Sequence, residues 1–376
     1  MKPGSTQESN EYKRLVTLDG FRFIAIVMVM LFHFYSRWVP QPGDKAMYPY
    51  GNKFDFFSYG YCGVEFFFII SGFVISYTLQ NTNNILTFWK KRIIRLFPGL
   101  LICSVLTFTL FRLFDSENLF PRSHSVINLF YSCMLLSPSV LDILFGFLDL
   151  HGNYINGSYW SLWPEVSFYF IASSLYYLNK HKFNQNLLIT ALAIHFTMKL
   201  AFWINPEDYP FNATNLISNF LKIIFIFNIS TCILWFLLGN LFYKLYTRKL
   251  DISTLTTLTL ILFLILYENK MWQLNLITLF FVSLFLLFIY APSFLGFMNN
   301  KILTSMGIAS YSLYLIHENI GVLLIHKYAG LLGRFSGLFP VLVIVVFISF
   351  SLLLYKYFEK PIAVYLKRTW TNKTTI

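Results

Sequence analysis

Charge is scarce in this chain. Only 12% of its 376 residues are Asp, Glu, Lys or Arg, about half the roughly 25% usual in soluble domains. With 56% hydrophobic and 20% aromatic residues and a mean hydropathy of +0.59, the chain has too much apolar surface for one water-soluble core. A lipid bilayer is the expected solvent. Cysteine is also sparse. Cys62, Cys103, Cys133 and Cys232 lie scattered, mostly in apolar runs, without the spacing of a zinc site or disulfide framework, and read as small buried hydrophobes. The seven histidines form no HxxxH or HExxH pattern, so no metal site is expected. A net charge of +12 would suit nucleic acid, but the basic residues sit between hydrophobic runs rather than in one domain. That pattern is a topology signal, and no nucleic-acid partner is expected. The N-terminal stretch carries Glu8 and Glu11 and lacks a small-residue cleavage site, so the first span is expected to serve as its own anchor.

What is abundant is long apolar sequence. Windows of about 20 apolar residues predict ten membrane spans, near 20–39, 58–79, 93–114, 159–178, 187–204, 219–243, 253–268, 273–291, 303–325 and 337–357. The stretch 126–150 is apolar but interrupted by Pro138 and polar residues, and reads as a re-entrant or surface-lying part of a long loop. The expected fold is an all-α polytopic membrane protein, about ten transmembrane helices around a polar cavity. Its expected divisions are a cytoplasmic N-terminal segment (1–17), a transmembrane domain (18–358) and a cytoplasmic basic tail (359–376). Lys13 and Arg14, Lys90 to Arg92, Lys180 and Lys182, Lys244, Arg248 and the tail lysines fall on one side of this arrangement. The positive-inside rule then puts both termini in the cytoplasm.

Against this background the ionisable groups inside spans stand out, because each is costly in lipid and is a functional candidate by default. The first span, "LDGFRFIAIVMVMLFHFYSRWV", carries Asp19, Arg22 and His33. Asp19 and Arg22 are three apart and can pair on one helix face. Arg22 and His33 are eleven apart, within about 20° of whole turns, and separated by a rise of about 16 Å. Glu65 lies in "GVEFFFIISGFVIS" beside Ser71 and Gly72, and Glu165 lies in "SYWSLWPEVSFYF". There Pro164 is expected to disturb the helix and free a carbonyl. Arg92 and Arg95 open the third span in "KKRIIRLFPGL". His195 and Lys199 share a face of the fifth span and read as a polar contact and a snorkelling lysine.

Charged groups in the first four spans imply a wet cavity. A histidine beside a carboxylate can act as general base toward a hydroxyl, and clustered arginines at a cytoplasmic edge suit a phosphorylated ligand. A coenzyme A thioester fits both ends, although spacing alone does not select it over another phosphorylated donor. A transporter or flippase for a glycan or its acylated precursor is the alternative, since transporters also carry intramembrane His, Glu and Arg; no convincing internal repeat supports it.

The first-span motif resembles that of the acyltransferase 3 family, integral-membrane O-acyltransferases of bacterial cell-surface polysaccharides, in which an Arg and a His are separated by ten residues. "FFFIISGFVI", "RIIRLFP", "YWSLWPEVSFY", "ASYSLYLIHENI" and "YFEKPI" resemble further family motifs in the same order. The resemblance implies an acyl-CoA-dependent O-acyltransferase, most often an O-acetyltransferase, of the bacterial inner membrane. No cofactor is held permanently; acetyl-CoA is a co-substrate. The implied acceptor is a sugar hydroxyl of a cell-surface or lipid-linked glycan, such as O-antigen. Membrane lipids are the other expected partner, and no oligomeric state is read from the sequence. His33, Glu165 and Asp19 are the expected catalytic group, with Glu165 orienting or charging His33. Arg22, Arg92, Arg95 and Ser71 are expected at the acyl-CoA, and Glu65, Tyr311, His317 and Glu359 as acceptor or structural groups. The expected form is a stand-alone one without a C-terminal SGNH domain. Two departures from the family pattern are Phe23 after the first-span arginine and Glu318 and Asn319 after His317.

Overall fold

In hydrocarbon every backbone N–H and C=O must pair within its own segment, which favours helices. The computed structural model describes residues 4–38, 47, 48, 50, 54–148, 150–204, 227–248 and 251–371, without the side chains of 4–15, 55, 204 and 371. Among the described residues there is no strand. The helices are α1 (Gly4–Tyr35), α2 (Cys62–Gln80), α3 (Ile85–Phe114), the short α4 (Val126–Ser132) and α5 (Pro138–Phe145), α6 (Leu162–Leu178) and α7 (Phe183–Ile204). They continue with α8 (Ile233–Arg248), α9 (Ile252–Glu268), α10 (Trp272–Tyr290), α11 (Lys301–Ile308), α12 (Ser310–Tyr328), α13 (Phe339–Leu354) and α14 (Lys360–Thr371).

Among the described residues, six helical stretches are long and apolar enough to cross a membrane: Val16–Tyr35, Phe56–Gln80, Ile85–Phe114, Phe183–Trp203, Trp272–Tyr290 and Ser310–Trp370. The chain is thus an all-α, multi-pass membrane protein. Helices α6, α8 and α9 are shorter, at 17, 16 and 17 residues, so length and composition do not establish the expected ten crossings. Positions 219–226 of the sixth expected span and the tail after 371 lie outside the described residues. The stretch 126–150 forms α4 and α5, capped by the Ser125 and Ser137 side chains, which accept from the N–H groups of Asn128 and Val140.

Two local expectations need correction. The ninth span, 303–325, is not one helix but breaks at Ala309 between α11 and α12. Gly307, just before the break, lies directly on the backbone of Asp19, where a Cβ would meet the Asp19 carbonyl oxygen. Pro164 does not disturb its helix. A 3-10 turn, Gly157–Ser161, precedes α6, and Pro164 falls in the first turn of α6, where a missing N–H removes no helical bond.

Helices α2 and α8 cross in backbone contact. A Cβ on Gly72 would fall on the Phe236 carbonyl oxygen, and one on Gly239 on that of Ile69. Small residues let two membrane helices approach to backbone contact. Around this crossing the core is aromatic: Phe66 stacks on Phe281 with centroids 4.3 Å apart, and Phe242 on Phe285 at 4.7 Å. These rings bind α2 and α8 to α10, and Phe21 of α1 packs edge-on to Phe285 at 5.4 Å, which fixes the position of α1.

The crossing predicts a sharp asymmetry. Gly72→Ala should lower stability by about 1–3 kcal/mol, the usual range for overpacking, because the obstructing atom is backbone. Gly146→Ala, with nothing within 4 Å of the added methyl, should leave the melting temperature of the detergent-solubilised protein unchanged. Equal melting temperatures for both variants would contradict the backbone contact.

Candidate active site

Asp19 and Arg22 form an ion pair on α1. Eleven residues further along the same helix, the His33 Nδ1 lies 3.0 Å from the Val29 carbonyl oxygen and 3.2 Å from His317 Nε2 of α12. The His317 Nδ1 is in turn 2.6 Å from the Tyr314 carbonyl oxygen. A carbonyl oxygen only accepts, so both Nδ1 atoms carry hydrogen. His317 then presents the lone pair of Nε2 to the N–H of His33, and the ring of His33 is left with its Nε2 as the basic nitrogen. That nitrogen faces Glu318 Oε1 at 3.4 Å, a contact that becomes an ion pair once the ring takes up a proton. Glu318 is 4% exposed, and its second oxygen, Oε2, has no hydrogen-bond partner among the described residues.

Glu318, not Glu165, is therefore the carboxylate at His33. Glu165 sits at the start of α6, where Ser71 Oγ of α2 donates to its Oε1 at 2.8 Å and the Tyr169 hydroxyl donates to the same oxygen. It shares a cavity wall with Arg22 and Arg95. Arg92 and Arg95 of α3 diverge. Arg95 faces that cavity, whereas Arg92 lies behind it, 8% exposed, donating to Thr78 Oγ1 at 3.3 Å and packed over the rings of Phe88 and Tyr169. Its Nε and NH1 have no partner among the described residues. Tyr311 donates to the Leu96 carbonyl at 3.0 Å. Glu359, carried by a π-helical turn over Tyr355–Glu359, accepts from Ser312. His195 and Lys199 meet Glu268 at 2.7 and 3.0 Å, joining α7 to α9.

Three adjoining cavities connect these groups. A basic cavity of about 1060 Å³, open to solvent, is lined by Asp19, Arg22, Lys91, Arg95, Glu359, Lys360 and Lys367. A smaller central cavity shares Arg22, Arg95, Ser310 and Tyr311 with it and adds Ser71 and Glu165. A third, of about 960 Å³, shares Val64, Phe68 and Tyr314 with the central one and holds His33, Glu65 and Glu318. Arg37, Trp160 and Trp235 also line it.

The loop from α3 to α6 fastens the third cavity to α12. Asn156 Nδ2 donates to the Leu315 carbonyl at 3.0 Å, and the Tyr314 hydroxyl donates to the Ser158 carbonyl at 3.0 Å. Asn319 Nδ2 donates to Ser123 Oγ at 3.0 Å. The loop begins at Asp115, whose carboxylate accepts from the Leu119 and Phe120 N–H groups at 3.0 and 3.1 Å and lies 2.9 Å from His124 Nε2. Burial alone would push the Asp115 carboxyl up, but the bonds from His124, Leu119 and Phe120 outweigh it and hold the group below its ordinary range.

The fold and the site define a multi-pass membrane protein with a histidine–carboxylate pair in an interior cavity and a basic cavity beyond it. The chain belongs to the Acyltransferase domain family, whose sequence profile matches residues 15–356. It is similar to the O-acetyltransferase OatA of Staphylococcus aureus (strain NCTC 8325 / PS 47), 28% identical in an alignment 377 positions long that covers 92% of this chain and 56% of that protein. It is also similar to a putative O-acetyltransferase of Staphylococcus aureus (strain COL), 25% identical over 95% of this chain and 59% of the relative. An O-acetyl transferase of Shigella phage Sf6 is 32% identical over 41% of this chain and 43% of its own length. The chain thus spans a little over half the length of the two staphylococcal proteins. No solved structure matches.

Sequence reasoning missed Glu318 and the loop groups Asn156 and Ser158. The signal for Glu318 was present in two consecutive polar residues after His317, deep within a helix that is buried along almost its whole length.

The Asp115 bonds carry a pH signature. A carboxyl held low in the folded state adds stability at pH above its unfolded value of about 3.9 and loses it as pH falls through the folded value. Asp115→Asn should therefore melt below wild type at pH 7, and the gap should close only as pH drops below about 4. A gap that is constant from pH 7 to pH 3 would show that the Asp115 charge contributes nothing.

Proposed function

We propose that this protein is a membrane O-acyltransferase, in the first instance an O-acetyltransferase, that moves an acyl group from acyl-CoA to a sugar hydroxyl of a cell-surface or lipid-linked glycan. The row of adjoining cavities between Arg22 and His33 carries this reading. One end is lined by lysines and arginines and suits phosphates; the other holds a histidine with a basic nitrogen. Family membership and the names of the relatives support the reaction class. The excess of Lys and Arg in the expected cytoplasmic loops supports a basic cavity on the cytoplasmic side of a bacterial inner membrane, with both termini on that side.

In this mechanism Arg22, held by Asp19, and Arg95 bind the phosphates of the donor. The pantetheine arm passes the central cavity, and the thioester carbonyl comes to the His33 end. The acceptor hydroxyl gives its proton to His33 Nε2 as its oxygen bonds to the thioester carbon. When the tetrahedral intermediate collapses, the C–S bond breaks and the thiolate recovers the proton from His33 as CoA thiol. His317 fixes the ring by accepting from its Nδ1–H, and the Glu318 carboxylate stabilises the imidazolium formed during transfer. Glu165, tied to Ser71 and Tyr169, balances the arginines of the central cavity.

The test is acyl transfer by the purified protein in detergent, where no gradient exists. Turnover there separates an enzyme from a transporter. His33→Ala should lower kcat by about 10²–10⁴-fold while acetyl-CoA still binds, since a base acts only in the transition state. Arg95→Ala should mainly raise the apparent KM for acetyl-CoA, by about tenfold for a lost charge-assisted bond. Near-normal turnover by folded His33→Ala would remove His33 as the base.

A further inference from the structure

We infer that the third cavity is an acceptor site for an uncharged sugar ring, and that Glu318 Oε2 selects it by receiving a ring hydroxyl adjacent to the one that is acylated. The inference rests on the acyltransferase reading above and adds the class of acceptor and the group that chooses it.

The first observation is the orphaned oxygen. Glu318 is almost fully buried; its Oε1 faces the basic nitrogen of His33 at 3.4 Å, and its Oε2 has no hydrogen-bond partner among the described residues. An unpaired carboxylate oxygen at that depth is costly, and the cost falls away when a ligand hydroxyl donates to it. The oxygen is also sterically framed. Gly157 approaches so closely that a Cβ there would lie 3.0 Å from Oε2.

The second observation is the wall. Trp160 and Trp235 line the same cavity, and the indole faces of tryptophan offer apolar surface for the C–H face of a pyranose. Trp160 is 42% exposed and Trp235 6%, so one lies at the opening and the other inside. The third is charge. Two acidic side chains, Glu65 and Glu318, line the cavity together with Arg37 and His33. A neutral ring brings hydroxyl donors to these oxygens, whereas a uronic or other acidic sugar brings a third carboxylate into a low-dielectric space. The two atoms of Glu318 would then divide the work. Oε1 supports the base, and Oε2 holds the sugar so that the neighbouring hydroxyl meets His33 Nε2.

The experiment uses the full chain in lipid nanodiscs with radiolabelled acetyl-CoA. The probes are methyl glycosides of glucose, galactose, mannose and N-acetylglucosamine, set beside the glucuronide and galacturonide. Wild type should acetylate at least one neutral glycoside with kcat/KM about tenfold or more above either uronide. Glu318→Gln should narrow that ratio to about threefold or less and raise the KM for the neutral glycoside, while acetyl-CoA binding by calorimetry stays within about twofold. A general loss of kcat cancels in the ratio, so a merely structural or base-supporting role would leave it unchanged. Glu318→Asp, which keeps the charge but shortens the reach, should retain the exclusion of uronides with a raised KM. Trp160→Ala, at an exposed position, should raise the KM for the neutral glycoside severalfold. Equal use of neutral and acidic glycosides by wild type, or an unaltered ratio in Glu318→Gln, overturns the inference alone. Transfer to no glycoside by wild type overturns the acyltransferase reading and the inference with it.

Discussion

A charge at the depth of the hydrocarbon must find a partner or water, and this protein finds most of those partners on other helices. Glu165 of α6 is met by Ser71 of α2, His33 of α1 by His317 and Glu318 of α12, and Glu359 of the π-helical turn by Ser312 of α12. Each of these contacts therefore does two things. It makes an interior charge tolerable, and it sets the rotation of one helix against another. The cavities lie where such pairs line a gap that apolar side chains do not close.

The apolar packing makes that arrangement stiff. The α2–α8 crossing leaves no room for a Cβ on either glycine, and stacked rings carry the contact on to α10. Interiors at this density do not deform smoothly, so the hydroxyl of Ser71 and the carboxylate of Glu165 are held in one relation rather than sampling many.

What could be read from the sequence was local and periodic. The shared face of Asp19, Arg22 and His33 follows from helix geometry alone, and each of the six long apolar stretches overlaps an expected span. Pairing across the fold was not legible. His33 and His317 are 284 residues apart, and no spacing rule connects them. The nearest carboxylate by motif, Glu165, was the expected partner of His33, while the actual neighbour lay in a dipeptide that read as a departure from the family. Arg92 and Arg95 are three apart, which puts them about 60° apart around the helix, far enough for one to face a cavity and the other to pack against Phe88 and Tyr169. The break at Ala309 was hidden because it depends on how closely Gly307 approaches α1, which is a tertiary fact. Pro164 was misread because the start of α6 lies later than the apolar run suggests.

Helix α12 contributes to all three cavities in succession: Tyr311 to the basic and central ones, Tyr314 to the central and third, and Glu318 to the third. These positions are spaced at near-whole turns on a single rigid rod, so α12 works as a ruler. From Tyr311 to Glu318 it measures about 10 Å at 1.5 Å per residue. The interval between the two ends of the site is thus written into the number of residues in one helix. A single inserted residue between Tyr314 and His317 would lengthen the rod only slightly, but it would turn everything beyond by about 100° and carry Glu318 off the face that meets His33.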